Sequence, residues 1–303
     1  MASEKSLPIF TVDAFASKPF TGNPAAVCLI QNGDLSDDTK QKLAMEMNLS
    51  ETAFVRILQP GDSFEKSSNF ELRWFTPKNE VKLCGHATVA SAAVFFSARV
   101  TCHQSDREFS SGNQSDALTF KTKSGDLVAK RSADRITISL PQNPPSDKVP
   151  KGVDKLIEIT LGDYHSKLAE TLYSLSTRKL IVLLHPSVHR EELEKMSPNP
   201  AVMMAAYKTG EVMGVIIKLK GSRENGAVDE DGRVYDFISR YFAPWNGINE
   251  DPVTGAAHTV LSPYWSNVLG KKEMYARQCS ARGGNLEIKM RDDGRVDLSG
   301  KQK

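Results

Sequence analysis

Arg73-Trp74-Phe75-Thr76-Pro77 recurs as Arg240-Tyr241-Phe242-Ala243-Pro244, an offset of 167 residues. Repeats of solenoids and propellers run at roughly 20–50 residues, so this spacing points instead to two copies of a whole domain. Each copy is followed by a loop and then by a glycine and small residues that open a helix-like run. The first is Cys84-Gly85-His86-Ala87-Thr88 through Ser97, the second Thr254-Gly255-Ala256-Ala257-His258 through Trp265. Two matching features in the same order predict a duplicated, pseudo-symmetric pair of domains.

The length agrees, since 303 residues suffice for two domains that each bury a core. Lys and Arg total 39 against 37 Asp and Glu, for a net charge of +2, which gives no pull toward nucleic acid or anionic membrane. No apolar run approaches the roughly 20 residues needed to span a bilayer, and Met1 to Phe10 lacks a leader pattern, so a soluble, cytoplasmic protein is expected. Cys28, Cys84, Cys102 and Cys279 show no CxxC spacing, which argues against a zinc site and a disulfide framework. The six histidines form no helical ligand pair and no HExxH, and neither GxGxxG nor GxxxxGK[ST] occurs.

Along the first half, Leu7 to Phe15 and Ala25 to Ile30 read as strands separated by the turn signal around Gly22-Asn23-Pro24. Leu35 to Asn48 reads as a helix capped by Ser36, with Asp37 and Asp38 at its positive end. Thr52 to Leu58 is a further strand, which leaves Glu51 at a helix-to-strand junction where a side chain can be rigidly aimed. Gln59 to Asn69 and Cys102 to Asp116 read as surface loops. In the second half, Leu180 to Leu184 and Val212 to Leu219 are predicted strands, and a helix near His189 to Met196 is capped by Ser187. The small residues of the two helix bodies suit tight packing. Gly85 and Gly255, at the helix starts, leave backbone N–H groups uncovered as an anion site for one carboxylate.

Asp13-Ala14-Phe15, Gly22-Asn23-Pro24-Ala25-Ala26-Val27, Asn48-Leu49-Ser50-Glu51-Thr52, Leu83-Cys84-Gly85-His86-Ala87-Thr88 and Glu250-Asp251-Pro252-Val253-Thr254-Gly255 together resemble the PhzF (phenazine biosynthesis) family, and its vertebrate members most closely. The resemblance runs from about Pro8 to Leu298 and implies an α+β, diaminopimelate-epimerase-like fold. That fold has two pseudo-symmetric domains, each a β-barrel around a central helix, with the active site in the cleft between them. The expected domains are 1–134 with about 292–303, and 135–291.

The resemblance further implies a cofactor-independent, metal-free isomerase that shifts a proton on a small carboxylate. Glu51 is the expected acid/base, and Asn23, Gly85, His86, Asp251, Gly255 and Ala256 the expected substrate-binding positions. Trp74, Phe75 and Phe242 are expected as walls that raise the pKa of Glu51. Related racemases use a cysteine from each domain. Cys84 holds the first such position but Pro252 holds the second, which favours a single carboxylate and makes Cys84 a buried apolar residue. Ala256 stands where many members carry a substrate-contacting serine. The chain ends at Gly300-Lys301-Gln302-Lys303 where members usually continue into a final apolar strand, so either an incompletely closed first domain or a variant terminus is expected. A homodimer is one assembly the resemblance allows, and a catalytically silent partner of a WD-repeat protein is the alternative function.

Overall fold

The computed structural model describes residues 7–97, 100–101, 108–109 and 112–303, and the expected loop from Cys102 to Asp116 lies partly outside them. The chain divides into two compact units: Met1–Phe20, Pro24–Ser139 and Ser299–Lys303 form unit 1, and Thr21–Asn23 with Leu140–Leu298 form unit 2.

Unit 1 contains β1 (Ile9–Ala14), β2 (Asn23–Ile30), α1 (Asp37–Met47), β3 (Glu51–Ile57), β4 (Asn69–Phe75), β5 (Glu80–Val81), α2 (Gly85–Phe96), the short pair β6 (Val100–Thr101) and β7 (Glu108–Phe109), β8 (Ala117–Thr122), β9 (Gly125–Ser132) and β10 (Arg135–Pro141). Its strands follow the order β1-β2-β3-β4-β8-β9-β10. Ser36 caps α1, its Oγ accepting from Thr39 N, and Asn48 ends the helix in the left-handed conformation, φ 49°. β2 and β3 are parallel and joined through α1, which covers their outer face with a cluster of Cys28, Ile30, Ala44, Phe54 and Phe75. A strand buried on both faces reads as a continuous apolar run, as Ala25 to Ile30 does.

Every residue of α2 from Gly85 to Phe95 is buried, as expected of a helix that is apolar or small all round. It packs on β1, β3 and β9, strands from opposite ends of the order, so the sheet curls around it. The chain terminus completes the curl. Asp13 N and Ala16 N donate to Lys303 O and Lys301 O, while Thr137 of β10 meets Ser299 through their hydroxyls at 2.7 Å. The expected open edge is therefore closed: backbone hydrogen bonds need no apolar side chains, so the polar tail serves.

Unit 2 contains α3 (Asp154–Leu161), β11 (Leu168–Ser174), β12 (Lys179–Leu184), α4 (Arg190–Lys195), α5 (Pro200–Ala206), β13 (Gly214–Lys220), β14 (Phe237–Phe242), α6 (Gly255–Leu269), β15 (Glu273–Gln278), β16 (Gly284–Met290) and β17 (Arg295–Gly300), with strand order β17-β16-β15-β14-β13-β12-β11. Again a parallel pair, β12 with β13, is followed by an antiparallel partner, β14. Residues Gln142 to Ser146 close this sheet, binding Gly294 O at one end and exchanging two backbone hydrogen bonds with Tyr173 at the other.

α6 carries Pro263 in its interior, which removes one N–H from the helical ladder and frees the Thr259 carbonyl. Asn143 N donates to that carbonyl at 3.0 Å, so the group stays paired. The helix predicted near His189 starts from His189, not Ser187: Glu192 Oε2 accepts from His189 N at 2.7 Å, while Ser187 is engaged in a turn with His185. Among the described residues, no helix is long and apolar enough to cross a membrane.

Candidate active site

The repeated pentapeptides lie at the ends of β4 and β14, with Phe75 paired to Thr52 and Phe242 to Val215. Their arginines do the same work. Arg73 grips Glu80 through Nε and Nη2 at 2.8 and 2.9 Å, and Arg240 grips Glu250 at 2.6 and 2.8 Å. Such fork-on-fork pairs hold both geometry and charge. The equivalence Glu80 to Glu250 and Gly85 to Gly255 runs at 170 residues, so the second copy has gained three residues ahead of its glutamate. Each pair anchors the loop that leads into the buried central helix.

In unit 1, Glu51 is the first residue of β3 and only 8% exposed. His86, the second residue of α2, lies against it, Nε2 3.3 Å from Glu51 Oε2. The other ring nitrogen faces Cys84 Sγ at 3.5 Å, and Ser50 Oγ lies 3.4 Å from Nε2. Burial pushes the imidazole pKa down to about 3, so it is neutral at physiological pH. The tautomer with hydrogen on Nε2 lets Nδ1 accept from the thiol and turns the Nε2 hydrogen to the side of Ser50 and Glu51. Cys84 is buried as expected, yet its contact is polar. Glu51, Cys84 and His86 also bring one metal-ligand atom each within 4.8 Å of one another. The imidazole turns Nδ1 to the thiol and Nε2 to the carboxylate. The CxxC and HExxH search missed this cluster because its residues come from a strand start and a helix start.

Two of the three expected wall residues belong elsewhere. Phe75 packs edge-on to Phe54 under α1, and Phe242 lies in the core of unit 2. Strand alternation explains the former: Phe75 pairs with Thr52 and shares its face, whereas Trp74 pairs with Ala53 and shares the face of Glu51. Trp74 is buried.

In unit 2, Asp251 Oδ1 accepts from Asn23 Nδ2 at 2.7 Å and Oδ2 accepts from Thr254 Oγ1 at 2.5 Å. Asn23 also donates to Val253 O at 2.9 Å, so it fixes the Asp251 loop. Gln278 ties down the same loop, Nε2 donating to Asp251 O at 2.6 Å and Oε1 accepting from Thr254 N at 2.9 Å. Burial raises the Asp251 pKa to about 6, against the lowering effect of the Thr254 and Asn23 hydrogen bonds and the Lys179 charge. Sequence reading missed Gln278, which lies on a distant strand and carries no local signal, and Thr254, whose Asp-x-x-Thr spacing was legible.

Gly85 and Gly255 are the buried first residues of α2 and α6. The residues before them, Cys84 and Thr254, are extended and neither caps its helix with its side chain; the Thr254 hydroxyl goes to Asp251 instead. Ala256, half-buried, takes the position in α6 that His86 takes in α2. The structure thus gathers Glu51, Gly85 and His86 in unit 1 and Asn23, Asp251, Gly255 and Ala256 in unit 2.

Two units of one design, each a β-barrel around a buried helix, define the diaminopimelate-epimerase-like class. The chain belongs to the PhzC-PhzF family: the family model described as phenazine biosynthesis-like protein matches residues 12–302. It is 51% identical to the phenazine biosynthesis-like domain-containing protein 1 of Mus musculus, over 97% of this chain and 95% of that one. A Pseudomonas aeruginosa protein described as an uncharacterized isomerase is 38% identical over 97% of this chain and 95% of its own length. The crystal structure of a phenazine biosynthesis PhzC/PhzF protein from Clostridium difficile (strain 630) matches with TM-score 0.74 at 34% identity, covering 98% of this chain and 96% of that one.

Proposed function

We propose that the protein is a cofactor-independent isomerase that moves a proton on a small carboxylate-bearing substrate, with Glu51 as the acid/base. The observation that carries this is the Glu51 carboxylate held 3.3 Å from a neutral, buried imidazole at the start of a buried helix. A carboxylate so placed takes a proton from carbon and returns it to a neighbouring carbon without a second carrier. The neutral His86 steadies Glu51 and offers a hydrogen-bond donor, not a charge. Asp251 orients a substrate amine or hydroxyl, Asn23 holds Asp251 in place, and the N–H groups at Gly85 and Gly255 take the carboxylate. The reading requires both clusters to act on one substrate. Ala256 offers no hydroxyl and leaves that wall apolar.

The test is incubation in deuterated water with a panel of small amino and hydroxy acids, following C–H exchange by NMR. Exchange is expected with at least one acid and is lost in Asp251→Asn. Exchange that requires an added metal or organic cofactor would contradict the reading.

A further inference from the structure

The two units differ at one informative pair of positions. In unit 1, Glu51 pairs across the strands with Ala25. In unit 2, Gly214 pairs with Lys179. Because Phe75 pairs with Thr52 and Phe242 with Val215, the repeated motif makes Gly214 the equivalent of Glu51 and Lys179 the equivalent of Ala25. Each unit therefore places one ionisable side chain at the start of its parallel strand pair, beside a neighbour with little or no side chain. Tyr241, the counterpart of Trp74, lies across Gly214 and leaves no room there for a Cβ.

Lys179 is 8% exposed. Its Nζ stands 5.5 Å from the centre of the Tyr241 ring and reaches Thr177 O at 3.5 Å, the outer limit of a hydrogen bond. Tyr241 also accepts Asp251 N at its carbonyl, 3.0 Å away, so one residue carries the lysine on its ring and the Asp251 loop on its backbone. A buried ammonium with so few partners is unfavourable unless another group completes its coordination. An ordinary ion pair does not do so here, because Asp251 acts on Lys179 through Coulombic attraction without meeting it.

We propose that Lys179 is a substrate-binding group of unit 2, a cation that pairs with an anionic group of the substrate and sets a preference for acids over their neutral amides. Resting on the isomerase reading, this makes Lys179 the partner in recognition to Glu51 in chemistry. Burial draws the lysine pKa down to about 8, with Asp251 opposing and Arg178 assisting that shift, so it remains mostly protonated at pH 7.

Succinate and its neutral diamide are the probes, followed by saturation-transfer NMR with wild type, Lys179→Met, Lys179→Arg and Glu51→Gln. Wild type and Glu51→Gln are expected to bind succinate and not the diamide. Lys179→Met should bind succinate about tenfold or more weakly, and Lys179→Arg within a few fold of wild type, as the loss of one charge-assisted hydrogen bond dictates. Lys179→Met should melt at or above the wild-type temperature, since it removes a buried charge, which separates recognition from folding. Equal succinate binding by Lys179→Met, or equal binding of acid and diamide by wild type, would overturn the proposal. Exchange that survives Glu51→Gln while Lys179→Met loses binding would instead remove the Glu51 reading and leave Lys179 standing.

Discussion

At the scale of single residues, burial sets the protonation states. His86 is neutral because desolvation outweighs everything else around it. The pKa of Asp251 rises to about 6 for the same reason, and Thr254 and Asn23 keep it from rising further. Thr254→Val removes the hydroxyl at Oδ2, so the Asp251 pKa should climb and the acid limb of the pH–rate profile should move up by about one unit. An unmoved limb would show that Asp251 does not act as an anion. By local pattern Glu51 was legible only as an acid at a helix-to-strand junction, and its expected acid/base role came from the family resemblance. What gives it chemical meaning is His86, which is 35 residues away along the chain and arrives through the helix start.

Among elements, the repeated arginines are the informative comparison. Arg240 is buried, and besides Glu250 it donates to Leu193 O, Glu194 O and Met196 O at the end of α4. A cation there satisfies carbonyls that the helix cannot pair internally. Arg73 meets Glu80 of β5 and the exposed Asp37 at the start of α1, and lies over the Phe75 ring. Arg240→Met should therefore destabilise the protein by about 3–5 kcal/mol, and Arg73→Met by clearly less, as chemical denaturation would measure. Equal losses would contradict the contrast. The pentapeptide announced both arginines, since a duplicated element keeps the residues that anchor its loop. It could not announce the α4 carbonyls, because they are main-chain groups of the β12–β13 crossover, which no side-chain pattern encodes. The capping of α1 by Ser36 was equally legible, whereas Ser187 failed as a cap because the nearby His185 competes for it within a local turn.

For the whole molecule, duplication and the barrel-around-helix design were readable from spacing and resemblance, but the closure of unit 1 was not. A tail of Lys301, Gln302 and Lys303 closes unit 1 through main-chain groups, which no side-chain pattern encodes. The interior of unit 2 also holds Lys218, fully buried under the Tyr264 ring and 3.8 Å from Glu170. Burial lowers its pKa from 10.5 to about 6, so between those values the unfolded chain binds the extra proton. Stability from this group should consequently rise with pH across that window and be lost as pH falls toward 6. Melting temperatures from pH 6 to 10 should climb in wild type and flatten in Lys218→Met; an unchanged slope would contradict the assignment. The central claim is that Glu51 moves the proton, and the most direct measurement is the rate of C–H deuterium exchange in wild type against Glu51→Gln with the same acid. The account predicts a loss of roughly a thousandfold or more, with the variant still folded; exchange persisting at the wild-type rate would contradict it.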